Sequence, residues 1–165
     1  MDNQLSKEIT QSLSTYLNEN GISITKEAEQ QYIKAVEGTL NFCHLIKWNS
    51  PNKHVVLANT PHQILESMKL RHFVYECEGV VNYFHPTIPG LLFDQYDQNS
   101  VTVNYLKEGK YVIGSIRCSF ETGHGLPYQD SCERSQITQD SRTLELNRHV
   151  IHPKHCGNMV FPSFF

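Results

Sequence analysis

Charged side chains occur at several positions where a predicted strand would otherwise be apolar. Asp94 and Asp97 lie three residues apart just before a predicted hairpin, a spacing that suits a turn holding cationic groups. Arg117 falls inside the second strand of that hairpin, and Glu145 and Arg148 fall inside the last predicted strand. A charge inside a strand is destabilising unless it is paired or used. These residues are therefore predicted to belong to a charged network.

The spacing within the last strand limits how this network can be built. Because side chains alternate across a strand, Glu145 and Arg148 should point to opposite faces of the sheet unless a β-bulge lies between them. Purely structural interpretations stay open as well. The two aspartates could form a solvated turn, Arg117 could be a strand residue whose charged end reaches solvent, and Glu145 and Arg148 could belong to an ion-pair network. The co-occurrence of these groups in one order favours a functional network.

Residues 1–48 are predicted to form a helical leader that carries no chemistry. A stripe with i, i+4 spacing predicts a first helix that ends at Gly21, and its members are Leu5, Ile9, Leu13 and Leu17. Thr25 has the side chain of an N-cap for a second helix. The buried face of that helix is predicted to contain Ala28, Tyr32, Val36 and Leu40.

Residues 49–165 are predicted to form one domain of the α/β or α+β class. Short β-rich runs predict strands at 54–58, 100–106, 111–120 and 143–151. The helix after the first strand begins at Pro61 and is predicted to bury Ile64, Leu65, Met68 and Phe73. This order of elements predicts a mixed, largely antiparallel sheet flanked by helices.

Five short motifs follow one another along this domain: Arg71-x-x-x-Tyr75, Asp94-x-x-Asp97, Gly114-Ser115-Ile116-Arg117, Leu126-Pro127 and Glu145-Leu146-Asn147-Arg148. Their order resembles the acyltransferase family that includes the acyl-homoserine-lactone (autoinducer) synthases and the N-acyl amino acid synthases. The stretches from Phe93 to Val101 and from Ile113 to Arg117 are most similar to one branch, the PEP-CTERM/exosortase-system-associated acyltransferases. The resemblance covers about residues 50–153.

The resemblance implies a GNAT-type fold with a V-shaped cleft between splayed strands. It implies transfer of a fatty acyl group from acyl carrier protein or acyl-CoA to the amine of an amino acid or related small molecule. The acyl thioester is a substrate, and no bound cofactor is implied. Attack of an amine on a thioester needs a base for the amine proton and donors for the oxyanion.

The same resemblance implies roles for individual residues on the amine side of the cleft. Glu145, or a water that it holds, would handle the proton, and Arg117 would be the second catalytic residue. In a version of the chain that carries the complete fold, we expect Arg117→Ala or Glu145→Ala to abolish product formation and to leave the fold intact. Tyr75 would supply an aromatic wall. The substrate-binding residues implied by the motifs are Arg71, Tyr75, Asp94, Asp97 and Arg148.

The sequence departs from the family pattern at three places within the domain, and the first of them bears on the expected acceptor. Residues 80–83 stand where autoinducer synthases carry an aromatic residue, typically Trp, which favours an amino-acid acceptor over S-adenosylmethionine. Leu92 stands where an acid often precedes the D-x-x-D turn, so one candidate base is absent. Asn147 stands where Ser is usual, which exchanges one polar side chain for another.

The end of the sequence is the largest departure. In GNAT folds a basic, Gly-containing turn and a helix follow the E-x-x-R strand, and the helix N-terminus receives the pyrophosphate of the cofactor. Here Pro153 leads through Gly157 into the apolar residues 159–165, so we expect the C-terminal half of the fold to be missing. The alternative function is therefore a non-catalytic remnant or interaction domain that keeps the amine-side half-site.

Charge and composition argue against several other classes of protein. The net charge of −3 and the lack of a Lys/Arg run predict no nucleic-acid surface. No stretch reaches the roughly 20 apolar residues of a membrane span, and the N-terminus does not resemble a secretory signal. Five cysteines without a C-x-x-C pair indicate reduced thiols, so a cytoplasmic location is predicted.

A histidine-rich segment offers a metal site as a further alternative. His149, His152 and His155 recur every three residues, and Cys156 follows them. This run passes through a predicted strand and across Pro153, and no second ligand pair has standard spacing. We therefore predict no metal site and interpret the histidines as core or solvated side chains.

Overall fold

A computed structural model describes residues 3–121, 126–127 and 144–156 of the chain. The described helices are α1 (Asn3–Asn20), α2 (Lys26–Leu45) and α3 (Pro61–Cys77). The described strands are β1 (Val55–Leu57), β2 (Ser100–Lys107), β3 (Tyr111–Phe120) and β4 (Leu144–Ile151). They form one antiparallel sheet in the order β1-β2-β3-β4, which confirms the predicted class with its largely antiparallel sheet. None of the described helices is long and apolar enough to cross a bilayer.

The first two helices follow their apolar stripes as predicted. Ile9 and Leu13 of α1 are fully buried and pack in one core with α2 and α3. Thr25 caps α2, since its side-chain oxygen accepts a hydrogen bond from the Ala28 N–H at 3.2 Å. The predicted buried face of α2 is confirmed at Ala28, Tyr32, Val36 and Leu40.

The start of α3 also agrees with the sequence, but the predicted burial of Phe73 is wrong. Thr60 caps the helix by accepting a hydrogen bond from the Gln63 N–H at 3.3 Å. Phe73 is 41% exposed because the buried stripe of α3 continues through Arg71 and Val74 instead. The remaining predicted core residues of α3 are buried: Ile64, Leu65 and Met68.

The two faces of the sheet differ in chemistry. Val103 and Ile116 lie on one face and pack in an apolar cluster with Cys43 of α2. The other face is polar and packs against α3. Because buried polar groups need partners, side chains of α3 must supply hydrogen bonds to this face. There Ser67 Oγ donates a hydrogen bond to Asn104 Oδ1 at 2.8 Å. The buried polar residues of β2 and β3 on this face are Ser100, Thr102, Asn104, Ser115, Arg117 and Ser119.

α2 also packs directly against the turn of residues 94–99 that precedes β2. We call this segment the acidic turn, after Asp94 and Asp97. A Cβ atom at Gly38 would overlap the backbone of Gln98, so only glycine permits this approach. Thr39 Oγ1 then donates a hydrogen bond to the Asp97 carbonyl oxygen at 2.9 Å. These contacts fix the short 3-10 helix Asp97–Asn99 between α2 and the sheet.

The structure describes all but the first residue of the last predicted strand, 143–151. β4 begins at Leu144 and ends at Ile151, as predicted to within one residue. Thr143, the predicted first residue of this strand, lies outside the described residues. The predicted apolar ending at residues 159–165 lies outside them as well.

The close approach at Gly38 generates a prediction with a distinctive sign. At an ordinary helix position Gly→Ala stabilises a protein by about 0.8–1 kcal/mol. At Gly38 we expect Gly→Ala to destabilise by about 1–3 kcal/mol, because the Gln98 backbone must shift to admit the methyl group. The free energy of unfolding in urea measures this change. Gln30→Ala, on the exposed side of α2, is the control and should change stability by less than about 0.5 kcal/mol. A Gly38→Ala variant more stable than the parent would contradict the packing described.

Candidate functional site

Asp97 lies at the buried centre of a charged cluster beneath α3. Its Oδ1 accepts a hydrogen bond from Arg71 Nη1 at 2.7 Å, and its Oδ2 accepts one from Arg117 Nη1 at 2.8 Å. Oδ2 also accepts a bond from the Asp94 N–H at 2.9 Å. The three charged side chains bonded here are each at most 1% exposed. A buried carboxylate needs such pairing, so Asp97 joins α3, the acidic turn and β3.

Arg71 contributes a second contact that ties α3 to the sheet. Its Nη2 donates a hydrogen bond to Thr102 Oγ1 of β2 at 2.9 Å. Arg71 therefore holds a carboxylate and a hydroxyl with the two ends of one planar guanidinium, an arrangement that lysine could not reproduce. Arg71 therefore fixes the position of α3 relative to the acidic turn and β2.

Arg117 extends the cluster from β3 to β4. Its Nη1 also donates to Asp94 Oδ1 at 2.6 Å, and its Nε donates to Asn147 Oδ1 at 2.7 Å. Burial alone would lower the pKa of Arg117, but the charges of Asp97 and Asp94 outweigh burial and raise it above the ordinary value. Arg117 therefore stays charged inside the core.

Asp94 is the acid of this cluster that reaches the surface, with its side chain 26% exposed. Its Oδ2 accepts a hydrogen bond from Arg148 Nη2 at 2.8 Å, and its Oδ1 accepts one from the Tyr96 N–H at 2.9 Å. Burial would raise the pKa of Asp94, but Arg117 and then Arg148 outweigh burial and hold it well below the ordinary carboxyl range. Asp94 is thus a carboxylate at neutral pH.

A β-bulge in β4 brings Arg148 to Asp94. Arg117 pairs with Asn147, and the register then gains one residue of β4 before the next pair toward the strand end. Arg148 lies at this irregularity. Its backbone φ of 51° falls in the left-handed region, which residues other than glycine rarely adopt. The bulge is the exception that the alternation rule left open, and it joins Arg148 and Glu145 to one network.

Glu145 is linked to the cluster through one amide. Asn147 Nδ2 donates to Glu145 Oε1 at 3.3 Å and to Ser119 Oγ at 3.2 Å. The oxygen of the same amide accepts the bond from Arg117. Glu145 is half-buried at the start of β4, which leaves part of its carboxylate open to solvent. Asn147, which departs from the family pattern, is the connecting residue.

Two aromatic rings cover the guanidinium of Arg148. Its carbon Cζ lies 4.2 Å from the ring centroid of Phe84 and 5.9 Å from that of Tyr75. The two rings lie 5.0 Å apart. Cation–π contacts of this kind orient a guanidinium. Tyr75 therefore lies beside the cluster, and its role as an aromatic wall, which the resemblance implies, stays a prediction.

An open pocket of about 330 Å³ adjoins the exposed side of Asp94. Phe84 and Phe93 line it together with residues of α2. The Phe93 ring is held from below by an edge-on contact with Tyr32, with centroids 5.8 Å apart. The pocket is large enough for a small molecule, and Asp94 is the acid through which the cluster meets it.

The structure brings all seven predicted site residues into one connected neighbourhood, but at different depths. The buried members cannot touch a small molecule where they lie, and they act on the site through Asp94; they are Arg71, Asp97 and Arg117. The accessible members are Tyr75, Asp94, Glu145 and Arg148. Their catalytic and substrate-binding roles stay predictions. The burial of Arg117 removes the basis for expecting Arg117→Ala to leave the fold intact.

Several partners in the network were missed at the sequence level. Thr102, Asn147 and Ser119 complete hydrogen bonds of the cluster, and Phe84 covers Arg148. A signal for Thr102 and Ser119 existed, because polar residues alternate along β2 and β3 in strands whose other side chains are apolar. Asn147 of β4 was named only as a departure from the family motif. Phe84 gave no such signal, because it lies in the predicted loop where the family pattern is not followed.

Neither a metal site nor a known relative accounts for this neighbourhood. Within residues 3–121, 126–127 and 144–156, no group of three or more His, Cys, Asp and Glu side chains could hold a metal ion. His152 and His155 do approach each other, with ring centroids 5.7 Å apart. Comparison of the chain with protein-family models, curated proteins and solved structures finds no match. The family resemblance therefore depends on the motifs themselves.

The lowered pKa of Asp94 predicts how stability depends on pH. A carboxyl group whose folded-state pKa is depressed contributes stability that is complete above its unfolded pKa, about 3.9, and is lost as the pH falls toward the folded value. We expect Asp94→Asn to lower the free energy of unfolding by about 1–3 kcal/mol at pH 7 and by less at pH 3. Urea unfolding at both pH values measures the two differences.

The matched control for Asp94→Asn is Glu78→Gln, which removes an exposed carboxylate just after α3. It should change stability little at either pH. An Asp94→Asn difference that is the same at pH 7 and pH 3 would contradict the assignment of a depressed pKa.

Proposed function

We propose that this chain is an N-acyltransferase domain that transfers a fatty acyl group from acyl carrier protein or acyl-CoA to the amine of an amino acid or related small molecule. The observation that carries the proposal is the bonded cluster itself, because residues of four of the five family motifs meet in it. These motifs are far apart in sequence, and structural roles alone do not require all of them to meet. A cytoplasmic location with reduced cysteines belongs to the same proposal.

The proposed reaction joins the nitrogen of an amine to the acyl carbon of a thioester. The neutral amine nitrogen attacks the thioester carbonyl carbon, so that a C–N bond forms and the C–S bond breaks. A base takes the surplus amine proton, and the thiolate takes up a proton and leaves as the thiol. Asp94 would accept a hydrogen bond from the incoming amine, which arrives as an ammonium ion and loses one proton to solvent before it attacks. The accessibility and the negative charge of Asp94 match this role.

Glu145 is the proposed base. Its carboxylate is accessible to solvent, and Asn147 holds it at a fixed place relative to the cluster. A carboxylate in that place can accept the amine proton directly or through one water. The bulge at Arg148 complements this role, because a bulged residue leaves its backbone N–H outside the regular ladder, and such a donor suits an oxyanion.

The buried members have a supporting part in this proposal. Arg71, Asp97 and Arg117 hold Asp94 and Asn147 in place without contacting the substrate. They are positioning residues, so their substitution would act on the rate through the orientation of Asp94 and Glu145. This division of roles differs from the direct catalytic part that the motif assigned to Arg117.

A second candidate function is a non-catalytic interaction domain of the same fold. The observation in its favour is the complete burial of Arg71, Asp97 and Arg117, since a buried network of ion pairs can serve stability alone. In that case the cluster would rigidify the sheet beneath α3, and the accessible surface around Asp94 would bind a partner without turnover. An activity assay separates the two candidates.

The direct test is acyl transfer by the purified chain. We expect N-acyl amino acids to form when the chain is incubated with the proteinogenic amino acids and either palmitoyl-CoA or palmitoyl acyl carrier protein, as detected by mass spectrometry. Glu145→Gln should lower the rate about 10²–10⁴-fold, because the base is lost. Its thermal unfolding midpoint should stay unchanged, because Glu145 is accessible and the amide keeps the shape of the side chain.

Glu108→Gln provides the control, because Glu108 is an exposed carboxylate in the β2–β3 turn, away from the cluster. It should leave both rate and stability unchanged. No product from the parent chain with either donor would overturn the enzymatic proposal and favour the interaction domain. A full rate for Glu145→Gln would remove Glu145 from the mechanism.

A further inference from the structure

One edge of the domain combines lysines with exposed apolar side chains. We call it the basic edge, and it consists of residues 44–54, from the end of α2 to the start of β1, together with residues 107–111 at the β2–β3 turn. The two parts lie side by side, because the Leu106 N–H donates a hydrogen bond to the His54 carbonyl oxygen at 2.8 Å. Residues that are far apart in sequence therefore present one continuous surface.

The basic edge is positively charged, although the chain as a whole has a net charge of −3. The sequence has no Asp or Glu from residue 38 to residue 65, a stretch that holds Lys47 and Lys53. The turn adds Lys107, Lys110 and one acid, Glu108. All five side chains are exposed, and none of the four lysines forms an ion pair with a described carboxylate. Because the Debye length in 0.1 M salt is about 10 Å, an anionic surface in contact with this edge meets mainly these lysines.

Two large apolar side chains flank Lys47 in the sequence. Leu45, the last residue of α2, is 79% exposed, and Trp48 is 42% exposed. The Trp48 indole N–H donates a hydrogen bond to the Val55 carbonyl oxygen at 3.3 Å. This bond fixes the ring on the first strand and uses its single donor, so the exposed part of the ring is left for apolar contact. Lysines beside an exposed leucine and tryptophan are typical of a protein surface that enters the interface of an anionic bilayer.

A peptide that adds a strand to β1 fits this edge less well than a lipid surface does. The outer edge of a terminal antiparallel strand presents the backbone groups of alternate residues. Both outward groups of Val55 are already bonded, the carbonyl oxygen by Trp48 and the N–H by the preceding loop. The Asn59 N–H donates to the Gln63 side chain at 3.1 Å. Leu57 alone is left with outward backbone groups that no described residue bonds, which is too little for strand addition.

We propose that the basic edge docks on an anionic lipid surface. The lysines lie against the headgroup phosphates, and the side chains of Leu45 and Trp48 enter the boundary between headgroups and acyl chains. A soluble polyanion, such as an acidic peptide, would match the lysines alone and would leave both apolar side chains in water. This inference goes beyond the proposed acyl transfer and does not depend on it, because the basic edge shares no residue with the charged cluster.

The fluorescence of Trp48 reports directly on this surface, because it is the single tryptophan of the chain. The probe is a vesicle of equal parts phosphatidylcholine and phosphatidylglycerol. We expect it to shift the emission of the full chain to shorter wavelength, and we expect lipids brominated along the acyl chain to quench that emission. Vesicles of phosphatidylcholine alone should bind more weakly, because they offer the lysines no net negative charge.

Lipid titrations of variants separate the charged from the apolar contribution. Lys47→Gln should lower the partition coefficient about fivefold, because one surface charge is lost. Leu45→Ser should lower it about tenfold, because an apolar side chain no longer leaves water. Glu108→Gln should raise it, because the edge loses its acid. Thermal unfolding midpoints should stay unchanged, since all three side chains are exposed.

Lys26→Gln and Tyr83→Ser are the matched controls. Lys26 is an exposed lysine at the opposite end of α2, about 30 Å from Leu45 along the helix. Tyr83 is 79% exposed and lies outside the basic edge. Each control should change the partition coefficient by less than about twofold.

Several results would overturn the inference. One is the absence of both the emission shift and the quenching with anionic vesicles, and another is an equal loss in Lys26→Gln and Lys47→Gln. Poly-L-glutamate distinguishes a lipid surface from a soluble acidic partner, and it should leave the Trp48 emission unchanged. A shift with poly-L-glutamate but no quenching by brominated lipids would assign the edge to an acidic protein and contradict docking on lipid.

Discussion

Two guanidinium groups bind the carboxylate of Asp97 in a region from which solvent is excluded. Removal of one member of such a buried pair leaves an uncompensated charge and destabilises a protein by about 3–5 kcal/mol. Because the two arginines come from α3 and β3, this one carboxylate fixes the helix against the polar face of the sheet. An apolar sheet face could pack against α3 in several ways, but the paired charges and hydroxyls permit one register.

The accessible groups inherit their positions from this buried interaction. The N–H of Asp94 donates a hydrogen bond to the Asp97 carboxylate, and Arg117 donates one to the Asp94 side chain, so both contacts orient Asp94. The Asp94 carboxylate in turn binds Arg148. The same Arg117 orients Asn147, which bonds Glu145. The two carboxylates that face solvent are therefore held from one side of a single buried network, while α2 closes the pocket from the other side. Buried support and an exposed functional surface are thus parts of one connected structure.

Local physics made much of this fold predictable. The stripes of α1 and α2, the Thr25 cap and the β2–β3 hairpin follow from periodicity and turn chemistry, which act over a few residues. The charged network was predictable in membership, since charges within strands demand partners. Its geometry was not predictable, because the bulge at Arg148 depends on how β4 pairs with β3. The approach at Gly38 and the exposure of Phe73 were missed for a related reason, as tertiary packing decides which face of a helix is buried.

The central claim is that Asp97 and Arg117 act as one energetically coupled unit beneath α3. A double-mutant cycle with Asp97→Asn and Arg117→Met, measured by urea unfolding at neutral pH, tests it most directly. The account predicts that the double variant loses about 1–3 kcal/mol less stability than the sum of the two single losses, since each single change strands the other charge. Losses that add to within about 0.5 kcal/mol would show that the two side chains are independent and would contradict the account.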